Sequence, residues 1–115
     1  MGAGGSMAGA IARGEVRLYQ FPHPDKQRPV VVLTRASAIA YLSAVTVAPI
    51  TSTLRGVPSE VALTEADGMK GPCAINLHNV VTVSKAHLGR RVAVLSPERM
   101  KEVCGALGFA LGCGS

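Results

Sequence analysis

The stretch Lys26-Gln27-Arg28-Pro29-Val30-Val31-Val32-Leu33-Thr34 decides how the rest of the chain is read. Three valines and a leucine follow a proline and stop at a threonine, a composition that belongs to a β-strand. Upstream, Val16 to Gln20 is a second such run, and the loop between them is rich in Pro, His, Asp and Lys, so the two are expected to pair. Downstream, Ala36 to Leu42 carries helix formers and predicts a short inserted helix. Val45 to Ile50 is a third β-branched run, closed by the polar cluster Thr51-Ser52-Thr53. Glu60 to Leu63, Cys73 to Leu77, Val80 to Val83 and Arg91 to Leu95 add short strands, and Gly56-Val57-Pro58, Asp67-Gly68 and Lys70-Gly71-Pro72 mark turns. Ser96-Pro97-Glu98 opens a terminal helix with an N-cap and a proline in the first turn. In it Met100, Val103, Cys104, Leu107 and Leu111 recur at the spacing of one apolar face, and Gly112 closes it. The expected fold class is α+β: a small, partly closed antiparallel β-barrel with a short inserted helix and a C-terminal amphipathic helix packed on it.

Composition bounds the function. The chain has 115 residues, with 12 Lys plus Arg against 7 Asp plus Glu, a net charge of +5, and 48% hydrophobic residues of which few are aromatic. That describes one folded domain with an aliphatic core and a basic surface suited to a polyanion. No uncharged run approaches the roughly 20 residues of a membrane-spanning helix, so no membrane role is expected. Cys73, Cys104 and Cys113 are odd in number and widely spaced, which argues against a disulfide framework or a cysteine metal site and points to a reducing cytoplasm. Residues 1–6 read as a cloning remnant ahead of a single domain over 7–115.

Polar islands at strand ends are where a rigid sheet presents chemistry. At Lys26-Gln27-Arg28, an arginine fork can hold a phosphate through two donors, although a solvated loop charge is the plainer account of the residue type. Thr51-Ser52-Thr53-Leu54-Arg55 sets three hydroxyls and a cation directly after a strand. They suit phosphate oxygens, and they equally suit a turn that caps its own backbone. Asn76-Leu77-His78-Asn79 continues a strand in which alternation puts Asn76 and His78 on one face, and an imidazole there can move a proton near neutral pH. His23 and His87 read first as surface residues, and Arg90 and Arg91 as barrel-edge charges with phosphate contact as the sharper alternative. Nucleotide-loop, zincin, hydrolase-elbow and calcium-loop motifs do not occur.

The order of these islands carries a resemblance. Arg13-Gly14-Glu15-Val16, Lys26 through Leu33, Val47-Ala48-Pro49-Ile50-Thr51-Ser52, and Asn76 through Leu88-Gly89-Arg90 together resemble the MazF/PemK family of bacterial toxins, over nearly everything from Arg13 to Cys113. The resemblance implies an SH3-like barrel that works as a homodimer. It also implies a sequence-specific, metal-independent endoribonuclease with no cofactor. Such an enzyme cuts single-stranded RNA to 2′,3′-cyclic phosphate and 5′-OH ends, and is silenced by a MazE-like antitoxin with which it binds DNA. Arg28 and Thr51 fall on the family's catalytic arginine and threonine. His78 stands where members commonly carry an acid, proposed in some relatives as the general base. Ser52, Thr53, Arg55, Gln27, Asn76 and Asn79 would cradle RNA, and His23 and Lys26 would touch it from a mobile loop. Arg17 stands where the family has a tryptophan, and is expected to add a cation near the dimer or substrate surface. Two rival readings are a catalytically silent nucleic-acid-binding barrel, motivated by the histidine in the acid's place, and a toxin that poisons DNA gyrase by protein contact.

Overall fold

The computed structural model describes residues 11–24 and 26–113, so the stretch read as a cloning remnant lies outside the described residues. The runs of β-branched residues form β1 (Glu15–Gln20), β2 (Gln27–Val32), β3 (Ala44–Thr51), β4 (Glu60–Leu63), β5 (Cys73–Asn76), β6 (Val81–Ser84) and β7 (Leu88–Val94). Among the described residues there are two α-helices, the one-turn α1 (Ala36–Ile39) and the terminal α2 (Pro97–Leu111). Every strand pairing is antiparallel, and the order across the sheet is β4-β5-β3-β2-β1-β7, with β6 also on β3. The expected α+β architecture, a partly closed antiparallel barrel with a terminal helix, is the one found, and the barrel stays open on one side. No helix among the described residues is long and apolar enough to cross a membrane.

β3 is the strand that curls the sheet. Its first half pairs with β6, from Ala44↔Ser84 to Val47↔Val81, and its end pairs with β5, at Ile50↔Ile75 and Thr51↔Ala74. One eight-residue strand thus belongs to both halves of the barrel. On β2, alternation divides the apolar run between two cores. Val31 and Leu33 join Val16, Ile50, Leu63, Ile75, Leu77 and Val103 on one side, while Val30 and Val32 join Ile39, Val45, Val47 and Val83 on the other. This explains an unbroken valine run in a strand of an antiparallel sheet: both faces of β2 are covered.

Between β1 and β7 the register shifts twice, around Arg17. Gly89 belongs there because a Cβ would lie 3.0 Å from the Leu18 carbonyl oxygen. Helix α2 begins as expected: the Ser96 hydroxyl accepts the Arg99 N–H at 3.1 Å, Pro97 occupies the first turn, and Gly112 ends the helix at φ +74°. Its buried stripe is rotated from the one expected. Val103 and Ala106 are buried with Met100 and Leu107 half-buried, whereas Cys104 and Leu111 are exposed, because the helix meets the core on the Val103–Ala106 side.

Candidate nucleic-acid cleft

Arg28 sits in β2, directly across from Tyr19 of β1. Its guanidinium lies 6.0 Å from the centre of the Phe21 ring, which stands nearly perpendicular to the Tyr19 ring, 4.8 Å from it centre to centre. Stacking on an aromatic face holds the fork in place and leaves its N–H edge available for an anion. Arg28 and Phe21 line an open cleft of about 520 Å³ with Pro49, His78, Asn79, Val80 and Val81. Among the described residues, Arg28 is the charged side chain in that lining and no carboxylate contributes to it, which favours an anion there.

His78 reaches this cleft from a different local structure than alternation predicts. The strand stops at Asn76, and Leu77–Asn79 form a 3₁₀ turn. The cause is the Asn76 side chain, whose Oδ1 accepts the His78 N–H at 3.1 Å and draws the backbone out of the strand. Leu77 is fully buried beneath the turn, and His78 is exposed above it. The ring is fixed by Ser59, whose Oγ lies 2.6 Å from Nδ1.

Thr51 lies in a second opening, of about 660 Å³, together with Gln27, Ser52, Lys70 and Arg90. The β2–β3 ladder ends at Val30↔Pro49, and from there β3 turns to β5. Pro49 lines the first opening, and Ile50 and Thr51 line the second. Strand alternation likewise sends Arg28 to the first and Gln27 and Pro29 to the second. Thr51 Oγ1 accepts the Thr53 N–H at 3.2 Å, closing the turn on itself, and its own proton is left to donate. Cys73 also lines this second opening, where burial and then the charge of Asp67 push its thiol up, so it behaves as an apolar residue.

The remaining expected contacts are dispersed. Asn79 is in the first cleft. Asn76 is committed to capping the turn. His23 and Lys26 are exposed in the β1–β2 loop, Thr53 and Arg55 are exposed after β3, and none of these four lines either opening. The Arg55 and Gly56 N–H groups both donate to Glu60 Oε1, at 3.0 and 3.1 Å, which fixes the loop's course. Arg17 corrects the surface expectation: it is buried, with Nε 2.8 Å from Glu15 Oε1 and Nη1 donating to the Gly89 carbonyl at 3.1 Å. Ser59 was not legible as a site residue, since a single serine after a proline carries no motif; Lys70 read only as part of a turn.

Residues 12–111 match the family model described as PemK-like, MazF-like toxin of type II toxin-antitoxin system. The chain belongs to this family. Among curated Mycobacterium tuberculosis proteins, it is 42% identical over 108 residues to one named probable endoribonuclease MazF5, covering 93% of this chain and 98% of that protein. It is 37% identical over 104 residues to one named probable endoribonuclease MazF2, covering 90% and 100%. The solved M. tuberculosis toxin MazF-mt6 superposes with a TM-score of 0.80 at 33% identity, over 88% of this chain and 99% of that one. A mycobacterial endoribonuclease solved in complex with its cognate antitoxin superposes with a TM-score of 0.80 at 26% identity, over 90% and 96%. Within this MazF-like frame, His78 shares its cleft with Arg28.

Proposed function

We propose that this MazF-like chain is the endoribonuclease toxin of a toxin–antitoxin pair, cutting single-stranded RNA at short sequence motifs in the cytoplasm. The observation that carries the reading is the cleft in which the Arg28 guanidinium and the His78 imidazole stand together, with no acid among the described residues that line it. A phosphodiester seated there meets a planar donor fork that stabilises the charge gathering on the phosphoryl oxygens as the adjacent 2′-hydroxyl attacks. The imidazole stands beside it to exchange a proton. Because the nucleophile belongs to the RNA, the products are a 2′,3′-cyclic phosphate and a 5′-hydroxyl, and no metal is needed to generate an attacking hydroxide. Thr51 and Ser52, around the bend of β3, hold an adjoining phosphate, and Gln27, Asn79, Lys70 and Arg90 contact neighbouring nucleotides. Unpaired RNA suits two openings of this kind, since its bases can be splayed into them.

The single domain spans 7–115 and works as a homodimer, and a MazE-like antitoxin with an acidic segment covers the same basic surface. The decisive experiment incubates the purified protein with mixed RNA in excess EDTA and maps new 5′-hydroxyl ends. Motif-restricted ends that disappear in Arg28→Ala are expected. Salt-sensitive RNA binding without cleavage overturns the reading in favour of a silent binding barrel. Inhibition of gyrase supercoiling without RNA cleavage overturns it in favour of a gyrase-directed toxin.

A further inference from the structure

Ser59 is buried immediately before β4 and holds the turn of His78 twice. Its carbonyl accepts the Leu77 N–H at 2.9 Å, and its hydroxyl lies 2.6 Å from His78 Nδ1. With Leu77 fully buried and the His78 N–H bound to Asn76, the ring has little freedom. Nδ1 is engaged by the protein, whereas Nε2 has no hydrogen-bond partner among the described residues, and His78 lines the cleft together with Arg28.

Protonation follows from the partner. Among the described residues, no second acceptor for the Ser59 hydroxyl proton is in hydrogen-bond contact. A buried hydroxyl gives its one proton to the acceptor in reach, so in the neutral ring Nδ1 takes the Ser59 proton and the ring's own proton sits on Nε2. In the imidazolium both nitrogens carry protons, Ser59 Oγ accepts from Nδ1, and Nε2–H still faces the cleft. Either way the cleft meets an N–H. A ring held like this lacks the free Nε2 lone pair that a general base needs.

We infer that Ser59 is the positioning residue of His78 and makes it the proton donor to the departing 5′-oxygen, not the acceptor of the 2′-hydroxyl proton. The inference rests on the cleft being the ribonuclease site. In the step, the 2′-oxygen bonds to phosphorus and yields its proton to solvent water. The P–O5′ bond breaks with its electron pair on O5′, and O5′ takes the imidazolium Nε2 proton to leave as a hydroxyl. The ring is left for the moment as the Nδ1–H tautomer against Ser59 Oγ, and solvent returns a proton to Nε2 before the next turnover, which restores the resting state in which the cleft meets an N–H.

The test uses the full chain, its His78→Ala and Ser59→Ala variants, and two RNAs. One RNA is natural, and the other has sulfur for the 5′-bridging oxygen at the cut, which departs as a thiolate without a proton. On natural RNA, His78→Ala is expected to lose about 10²-fold in kcat and Ser59→Ala about tenfold. On the sulfur RNA both are expected within a few fold of wild type. A His78→Ala variant equally impaired on both RNAs overturns the donor role. Failure of wild type to cut natural RNA overturns the ribonuclease reading and the inference with it.

Nitrogen-15 spectra of the imidazole, recorded without turnover, test Ser59 separately. Wild type and Ser59→Thr are expected to keep the proton of neutral His78 on Nε2, and Ser59→Ala to show a tautomer mixture. An unchanged tautomer in Ser59→Ala, with cleavage intact, overturns the role of Ser59 alone.

Discussion

Glu15 and Arg17 stand on the same face of β1, both buried, joined by a 2.8 Å bond from Nε to Oε1. Arg91 approaches the other carboxylate oxygen at 3.5 Å, and the Ala12 N–H donates to Oε1 at 3.0 Å. The pair sits where β1 and β7 slip register, and the Arg17 guanidinium also takes up the Gly89 carbonyl. Removing the cation strands a buried carboxylate. Arg17→Met is expected to destabilise the fold by about 3 kcal/mol, read from urea unfolding, while Glu15→Gln/Arg17→Met together recover most of the loss.

Acid should find the same weak point, and a second one. Burial opposes ionisation of Glu15, but the bonds from Arg17 and Ala12 and the charges of Arg17 and Arg91 outweigh it and hold its carboxyl below the ordinary value. Asp67 is lowered as well, first by Arg99, whose Nε and Nη2 reach its two oxygens at 2.9 and 3.2 Å. For a depressed carboxyl the stabilisation is present above the unfolded value and disappears as pH falls through the folded one. Thermal stability is therefore expected to be level above about pH 5 and to fall below about pH 4. Glu15→Gln/Asp67→Asn should be less stable at neutrality and show a shallower acid limb.

Arg28 and Thr51 should separate kinetically, because they line different openings. Arg28→Lys keeps the charge but loses the planar fork and its stacking on Phe21, so a kcat loss of about 10²-fold is expected with KM little changed. Thr51→Val should chiefly raise KM. Equal kcat losses in both variants would place the two side chains on one phosphate.

Leu77 is the buried root of the turn that carries His78. Leu77→Ala is expected to cost about 3 kcal/mol of stability and also to lower kcat, since the cavity frees the turn. Leu63→Ala, in the same core but on β4, should cost a similar amount with kcat unaffected once the folded fraction is matched.

Much of the architecture was legible from local chemistry: β-branched runs made strands, and Ser96, Pro97 and Gly112 bounded the last helix. What escaped is non-local. Nothing beside Val47 announces that it pairs with both β2 and β6, and nothing beside Arg17 announces that a glutamate two residues back, folded against β7, will bury it. The turn at His78 lay within reach, since an asparagine two residues before a polar residue can cap its backbone, but the apolar alternation around it favoured a strand. Arg28 and His78 were legible as residue types. Their shared cleft was not, because it depends on β3 bringing β2 beside the β5 turn.

The division of β2 between two cores has a consequence for how such a protein diversifies. At its open end Arg28 faces one opening and Gln27 and Pro29 the other, while Val30 and Val32 face one core and Val31 the other, so a point substitution at the open end can retune one opening without disturbing its neighbour. A one-residue deletion in this strand does the opposite: it exchanges the partners of both cores and sends the guanidinium to the wrong side of the sheet. Replacement can therefore adjust the side chain that faces one opening, whereas a change in the length of β2 disturbs both cores at once.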